Sequence, residues 1–149
     1  MNDPEILTRY EAHGVRFDYP GYWEVSEEQD GADRLITVTA DGTSFWALRI
    51  IPECPRADDV VKSCVEAFEE EYEDVEVHEQ KSVTLAKMPA VSREVNFSCF
   101  ELLNSVSLTS VRSSEMTLLA WWQGTDHELE DVRELFEQIT KSVRILSLL

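Results

Sequence analysis

The chain has 149 residues, of which 13 are basic and 30 are acidic, and its formal net charge is −17. Its hydrophobic fraction of 43% and charged fraction of 29% are typical of a globular protein and exclude a disordered or low-complexity chain. The excess of negative charge argues against nucleic acid and anionic membranes as partners, because both attract Lys and Arg. The length fits one domain over residues 1–149.

The same features predict a cytoplasmic protein. The longest apolar run, residues 118–122, is far shorter than the ~20 residues of a membrane helix. The polar N-terminus lacks the basic start and apolar stretch of a secretory signal. Cys54, Cys64 and Cys99 cannot all pair within one chain, so reduced thiols are the simpler interpretation.

The first predicted elements in chain order are strands. Apolar and polar residues alternate over residues 15–19, which is typical of a half-buried strand, and Pro20 ends it. Further strands are expected over residues 22–25, 34–40 and 44–51, with a hairpin at Asp41-Gly42 between the last two. Because residues 44–51 are apolar on both faces, they predict a central strand covered on each side.

A first helix is predicted over residues 58–73, after Pro52 and Pro55. One side of this helix is apolar and carries Val60, Val61, Cys64, Ala67, Phe68 and Tyr72. Glu71 interrupts that side, so either the helix overhangs the sheet there or its last turn unwinds.

The rest of the chain predicts antiparallel strands and a closing helix. The strands are expected over residues 75–79, 82–86, 90–100, 104–112 and 115–122. Thr125 and Glu128 form a capping box at the start of the last helix. Its apolar residues repeat at intervals of three and four: Leu129, Val132, Phe136, Ile139 and Val143. We therefore expect an α+β fold with a twisted antiparallel sheet of about six to eight strands, flanked by two main helices.

Three segments resemble the Mog/PsbP-like superfamily. The stretch GVRFDYPGYWEV, with Tyr19, Pro20 and Trp23, resembles the family's opening strand. SVTLAKMPAVSREVNF and FEQITKSVRI are similar to its middle strands and final helix. The resemblance implies an α/β/α sandwich, a packing role for those three residues, and action by binding partners without a shared catalytic set.

No motif in the sequence predicts an enzyme, a cofactor or a metal site. Nucleophilic catalysis needs a base beside the nucleophile, and no serine or cysteine lies in such a motif. His127, Glu130, Asp131 and Glu134 share one face of the last helix and could hold a cation. Because that face lies opposite the apolar stripe, we interpret it as solvated and predict no metal.

An acidic run is the most distinctive charged feature of the sequence. Glu69, Glu70, Glu71, Glu73 and Asp74 crowd the C-terminal end of the first helix, where the helix dipole disfavours negative charge. The run is either a solvated face of an acidic protein or a docking site for a basic protein. We take Glu69, Glu70, Glu73 and Asp74 as candidate partner-binding residues.

The adjacent Trp121 and Trp122 complete the set of candidate binding residues. Side chains alternate across a strand, so one ring points to each face and the second needs its own cover. A helix, a partner or a second copy of the chain could cover it, and Trp46 raises the same question. The leading hypothesis is a non-catalytic binding domain with an acidic docking surface. The alternatives are a small-ligand carrier with a pocket between sheet and helix, and an enzyme with a scattered site.

Overall fold

The computed structural model describes residues 7–146, which form two helices and eleven strands. The helices are α1 (Ala57–Glu71) and α2 (Asp126–Ser142). The strands are β1 (Leu7–Ala12), β2 (Val15–Pro20), β3 (Glu24–Asp30), β4 (Asp33–Thr39), β5 (Phe45–Ile51), β6 (Glu76–Val77), β7 (Lys81–Leu85), β8 (Met88–Cys99), β9 (Leu102–Arg112), β10 (Thr117–Thr125) and β11 (Arg144–Ile145).

The strands form two antiparallel sheets. The large sheet has eight strands in the order β3-β4-β5-β10-β9-β8-β6, with β7 also paired to β8. The small sheet has the order β1-β2-β11. Helix α1 packs on one face of the large sheet, against β8, β9 and β10, and α2 packs between the other face and β2. This arrangement confirms the α+β sandwich that the sequence predicts.

The small sheet is the main feature that the sequence analysis missed. We expected residues 15–19 in the same sheet as the other strands, but β2 pairs with β1 and β11. Strand β1 was not predicted because its side chains are exposed or half-buried and give no apolar alternation. The predicted short strand 22–25 is also longer in the structure, since β3 continues to Asp30 as an exposed edge strand.

The end of α1 settles the two interpretations of Glu71. The helix ends at Glu71, and Tyr72 adopts an extended conformation with φ −124° and ψ 155°. Glu71 is the last helical residue and is exposed, and the predicted helix unwinds directly after it, over residues 72–73. Tyr72 instead stacks on Phe97 of β8, with ring centroids 4.1 Å apart, and fixes this end of the helix to the sheet.

Helix α2 begins and packs as the sequence predicts. The Glu128 backbone N–H donates to Oγ1 of Thr125, the N-cap residue. Phe136 is fully buried and contacts the rings of Trp23 and Trp122, with centroids 5.5 and 6.2 Å away. Because the Trp23 ring lies in this core, the packing role implied by the family resemblance is confirmed for it.

Candidate functional site

An apolar cleft lies between α1 and the large sheet and has a volume of about 500 Å³. We call it the α1 cleft. Its sheet side is β5, β9 and β10, and its other side is the half of α1 that the sequence predicts to be apolar. The lining residues are Arg49, Ile51, Pro55, Asp59, Val60, Ser63, Cys64, Ala67, Phe68, Leu108, Leu119 and Trp121.

Arg49 is the one basic residue of the α1 cleft, and its charge is already compensated. Its guanidinium donates to Asp30 at 2.7 Å and to Asp33 at 2.9 Å. Burial alone would lower the pKa of Arg49, but the two carboxylates raise it above its ordinary value. The side chain therefore stays charged, and the cleft floor presents apolar surface together with a guanidinium held by two carboxylates.

The thiol in the α1 cleft is unsuited to nucleophilic chemistry. Burial raises the pKa of Cys64, which outweighs the opposite effect of Arg49. A thiol is nucleophilic as the thiolate, so Cys64 stays in its unreactive form at neutral pH. Cys54, Cys64 and Cys99 are all free and half-buried.

The acidic run lies at the C-terminal end of α1 and just beyond it. Glu69, Glu70, Glu73 and Asp74 are all exposed, and we call them the acidic end of α1. Within residues 7–146, none of these four carboxylates lies within 4.0 Å of a Lys, Arg or His nitrogen. Phe68, which lines the α1 cleft, directly precedes Glu69 in the helix.

The adjacent tryptophans point to opposite faces of the sheet, as expected. Trp121 lines the α1 cleft, is half-buried, and packs edge-on against Phe45 at 6.3 Å. Trp122 faces α2 and is only 4% exposed. Trp46 is fully buried on the same face, and its Nε1 donates to Oγ1 of Thr140. Trp121 therefore lines the α1 cleft, whereas Trp122 is buried on the opposite face of the sheet.

The remaining candidates do not form a site in the described residues. Over residues 7–146, no three His, Cys, Asp or Glu side chains group together to hold a metal ion. The side chain of His127 is 94% exposed and lies 3.6 Å from Glu130. His13 pairs with Glu27, and His78 contacts Asn96 and Glu76. In this part of the chain, no histidine is hydrogen-bonded to a serine or cysteine that it could activate.

The sheet side of the α1 cleft was not predicted from the sequence. Leu108 and Leu119 are ordinary strand residues whose meeting depends on the pairing of β9 with β10. Arg49 offered a usable signal, since a single cation inside an otherwise apolar central strand requires a buried partner or a site.

The comparisons with known proteins identify the fold. No protein-family model and no curated protein matches the sequence. The structure resembles cyanobacterial PsbP (CyanoP) from Synechocystis, with 15% identity, coverage of 97% of this chain and 96% of that chain, and a TM-score of 0.63. It also resembles PA94 from Pseudomonas aeruginosa, a protein of unknown function, with 15% identity, coverage of 91% and 94%, and a TM-score of 0.57.

A third similar structure is LpqN of Mycobacterium tuberculosis, a protein involved in cell envelope biogenesis. It is 13% identical, with coverage of 97% of this chain and 87% of that chain, and a TM-score of 0.56. At these identities the likeness establishes the fold alone, and it is the Mog/PsbP-like fold that the resemblance predicts. None of the described helices is long and apolar enough to cross a membrane.

Proposed function

We propose that this protein is a non-catalytic binding domain that docks a basic segment of a protein partner on α1. The observation that carries the proposal is the placement of an apolar cleft and an acidic run along the same helix. An apolar cleft of about 500 Å³ runs beside α1. The acidic end of α1 follows directly in the sequence, and its four carboxylates have no cationic partner within 4.0 Å among residues 7–146. A segment that carries both apolar and basic side chains complements both.

The α1 cleft and the acidic end of α1 would contribute differently to such a complex: the cleft would supply affinity and the carboxylates orientation. Trp121 and Phe68 offer aromatic area, and aromatic side chains supply a large share of the binding energy at interfaces. The carboxylates steer a basic partner and fix its orientation. They lie at the helix end with no basic residue in the last turn, where the helix dipole disfavours them, so a bound cation would relieve that repulsion.

The test uses a synthetic peptide of leucine and lysine as the probe, and a leucine–glutamate peptide as its counterpart. We expect the lysine peptide to bind and its affinity to fall as salt rises, because screening weakens the charge pairs. The triple variant Glu69→Gln, Glu70→Gln, Glu73→Gln should bind it roughly tenfold more weakly, a loss of about 1.4 kcal/mol. Fluorescence anisotropy of the labelled peptide measures both effects.

The matched control is Glu130→Gln, Asp131→Asn, Glu134→Gln, which removes three exposed acids from α2. Both variants lose the same net charge, so their comparison separates a local site from general attraction to an acidic protein. Equal weakening in the two variants, or no binding of the lysine peptide to the unmodified protein, would contradict the proposal.

The α1 cleft also favours a second function, the carriage of a small apolar ligand. Its volume lies in the range of small-molecule pockets, and its lining is mostly apolar. A stoichiometric apolar compound in an organic extract of the purified protein would support this function. In that case, Ala67→Trp at the exposed edge of the cleft should abolish its retention, whereas the triple glutamine variant should keep it.

A further inference from the structure

A second cleft, of about 310 Å³, lies between α2 and the opposite face of the large sheet. We call it the α2 cleft, and its lining is polar where a helix-covered sheet face is expected to be apolar. Its lining residues are Val83, Thr84, Ser92, Glu94, Ser107, Thr109, Ala120, Trp122, Arg133, Glu137, Thr140 and Lys141. It does not overlap the α1 cleft.

The sheet side of the α2 cleft is built from two neighbouring strands. Ser92 of β8 pairs in register with Thr109 of β9, and Glu94 pairs with Ser107. This register places three hydroxyls and a carboxylate side by side. Thr109 is 7% exposed, and its hydroxyl donates to Ser92 at 3.2 Å.

The polar residues at the next register position are already satisfied. Asn96 donates to the Ser105 hydroxyl at 2.6 Å, and that hydroxyl donates to Asp126 at the start of α2 at 2.8 Å. In contrast, the Ser107 hydroxyl forms no side-chain hydrogen bond within residues 7–146. The polar side chains of the Asn96–Ser105 pair are therefore hydrogen-bonded within the protein. The Ser107 hydroxyl of the neighbouring Glu94–Ser107 pair is not, within the part of the chain that the structure describes.

Helix α2 supplies charges of alternating sign to the cleft. Arg133, Glu137 and Lys141 are spaced at intervals of four, so they follow one face of the helix. The closest opposite charges are Arg133 and Glu94 at 3.8 Å, with both side chains 43% exposed, so the pair is weak. Two cations and two carboxylates line the cleft, and they are interleaved rather than separated into a positive and a negative end.

Such a lining suits a ligand whose polar groups each donate and accept. Hydroxyls have this property, whereas an anion or a cation would face opposing charges on one side of the cleft. The Trp122 ring provides an apolar wall, with the guanidinium of Arg133 4.9 Å from its centroid. The volume is at the lower end of small-molecule pockets.

We propose that the α2 cleft binds a small, uncharged, polyhydroxylated molecule of the size of one sugar ring. The test titrates the ¹⁵N-labelled protein with D-glucose, D-galactose and N-acetyl-D-glucosamine. Glucuronate, glucosamine and glycine serve as anionic, cationic and zwitterionic probes. We expect saturable shifts of the amides of Ser92, Ser107, Thr109 and residues 133–141 with at least one neutral sugar.

Two variants test which residues hold the sugar. Ser107→Val and Glu137→Gln should each weaken binding about tenfold, the equivalent of one good hydrogen bond. The control Ser98→Val alters an exposed residue of the same strand face as Ser92 and Glu94 and should bind normally. Affinity should also be independent of salt, because the ligand is uncharged.

Three results would overturn the proposal. One is the absence of saturable shifts with every neutral sugar, and another is saturation by only the charged or zwitterionic probes. The third is a sugar response that Ser107→Val and Glu137→Gln leave unchanged while their amide spectra show folded protein.

Discussion

Replacing Phe136 by alanine is expected to destabilise the domain by about 3–5 kcal/mol. Phe136 is fully buried on α2 and touches two tryptophans, Trp23 from the chain after β2 and Trp122 from β10. Its removal leaves a cavity between α2, the large sheet and the turn that joins β2 to β3. The surrounding elements can relax only partly into this cavity. The free-energy cost of the cavity therefore adds to the loss of buried apolar surface.

Urea unfolding followed by circular dichroism measures this change, and Phe100→Ala is the matched control. Phe100 lies at the tip of the β8–β9 hairpin, is 93% exposed and has φ +52°. Its truncation should change the free energy of unfolding by less than about 0.5 kcal/mol. If the two variants had similar stability, α2 would not be packed on the sheet as described.

Glu128→Gln is expected to lower the free energy of unfolding by about 1–3 kcal/mol at neutral pH. The Glu128 carboxylate accepts the Thr43 backbone N–H at 2.9 Å and the hydroxyls of Thr43 and Ser44 at 2.7 and 3.0 Å. It thereby ties the start of α2 to the β4–β5 hairpin. Gly42 has φ +85°, and a side chain there would collide with this carboxylate.

The hydrogen bonds of Glu128 also predict that the free energy of unfolding depends on pH. Burial alone would raise the pKa of Glu128, but the hydrogen bonds from Thr43 and Ser44 lower it from 4.5 to about 2. The folded state therefore favours the charged form, and the stabilisation is complete above pH 4.5 and lost as the pH falls toward 2. The stability difference between the unmodified protein and Glu128→Gln should shrink over this range.

Urea unfolding at a series of pH values tests this dependence. Glu130→Gln is the control, because Glu130 is exposed and should have little effect at any pH. A difference for Glu128→Gln that stays constant down to pH 2 would contradict the assigned hydrogen bonds.

Local patterns in the sequence were sufficient to predict the layers of the fold. The spacing of apolar residues at intervals of three and four, together with the Thr125 cap, predicted α2. The apolar residues on both faces of β5 predicted a central strand that is buried on each side. The small sheet could not be predicted in this way. Strand β1 buries no residue fully, and β11 has two residues, so both depend on pairing with β2.

Only those parts of the candidate site that lie within a single helix or strand could be predicted from the sequence. The acidic end of α1 and the opposite orientation of the two adjacent tryptophans follow from helix and strand periodicity. The sheet side of the α1 cleft follows from the register of β5, β9 and β10, which sequence periodicity does not specify. The polar residues of β8 and β9 that line the α2 cleft alternate with apolar residues in the sequence. That they form a cleft depends on the packing of α2 over them, which the sequence does not specify.

A docking surface on α1 can be tested by ¹⁹F NMR of protein containing 5-fluorotryptophan. The chain has four tryptophans, and Trp121 is the one in the α1 cleft, whereas Trp23, Trp46 and Trp122 are buried on the other face. Titration with the leucine–lysine peptide should move one resonance saturably, and Trp121→Phe should remove that resonance. Movement of the Trp122 resonance in its place, or no saturable movement at all, would show that the peptide does not dock on α1.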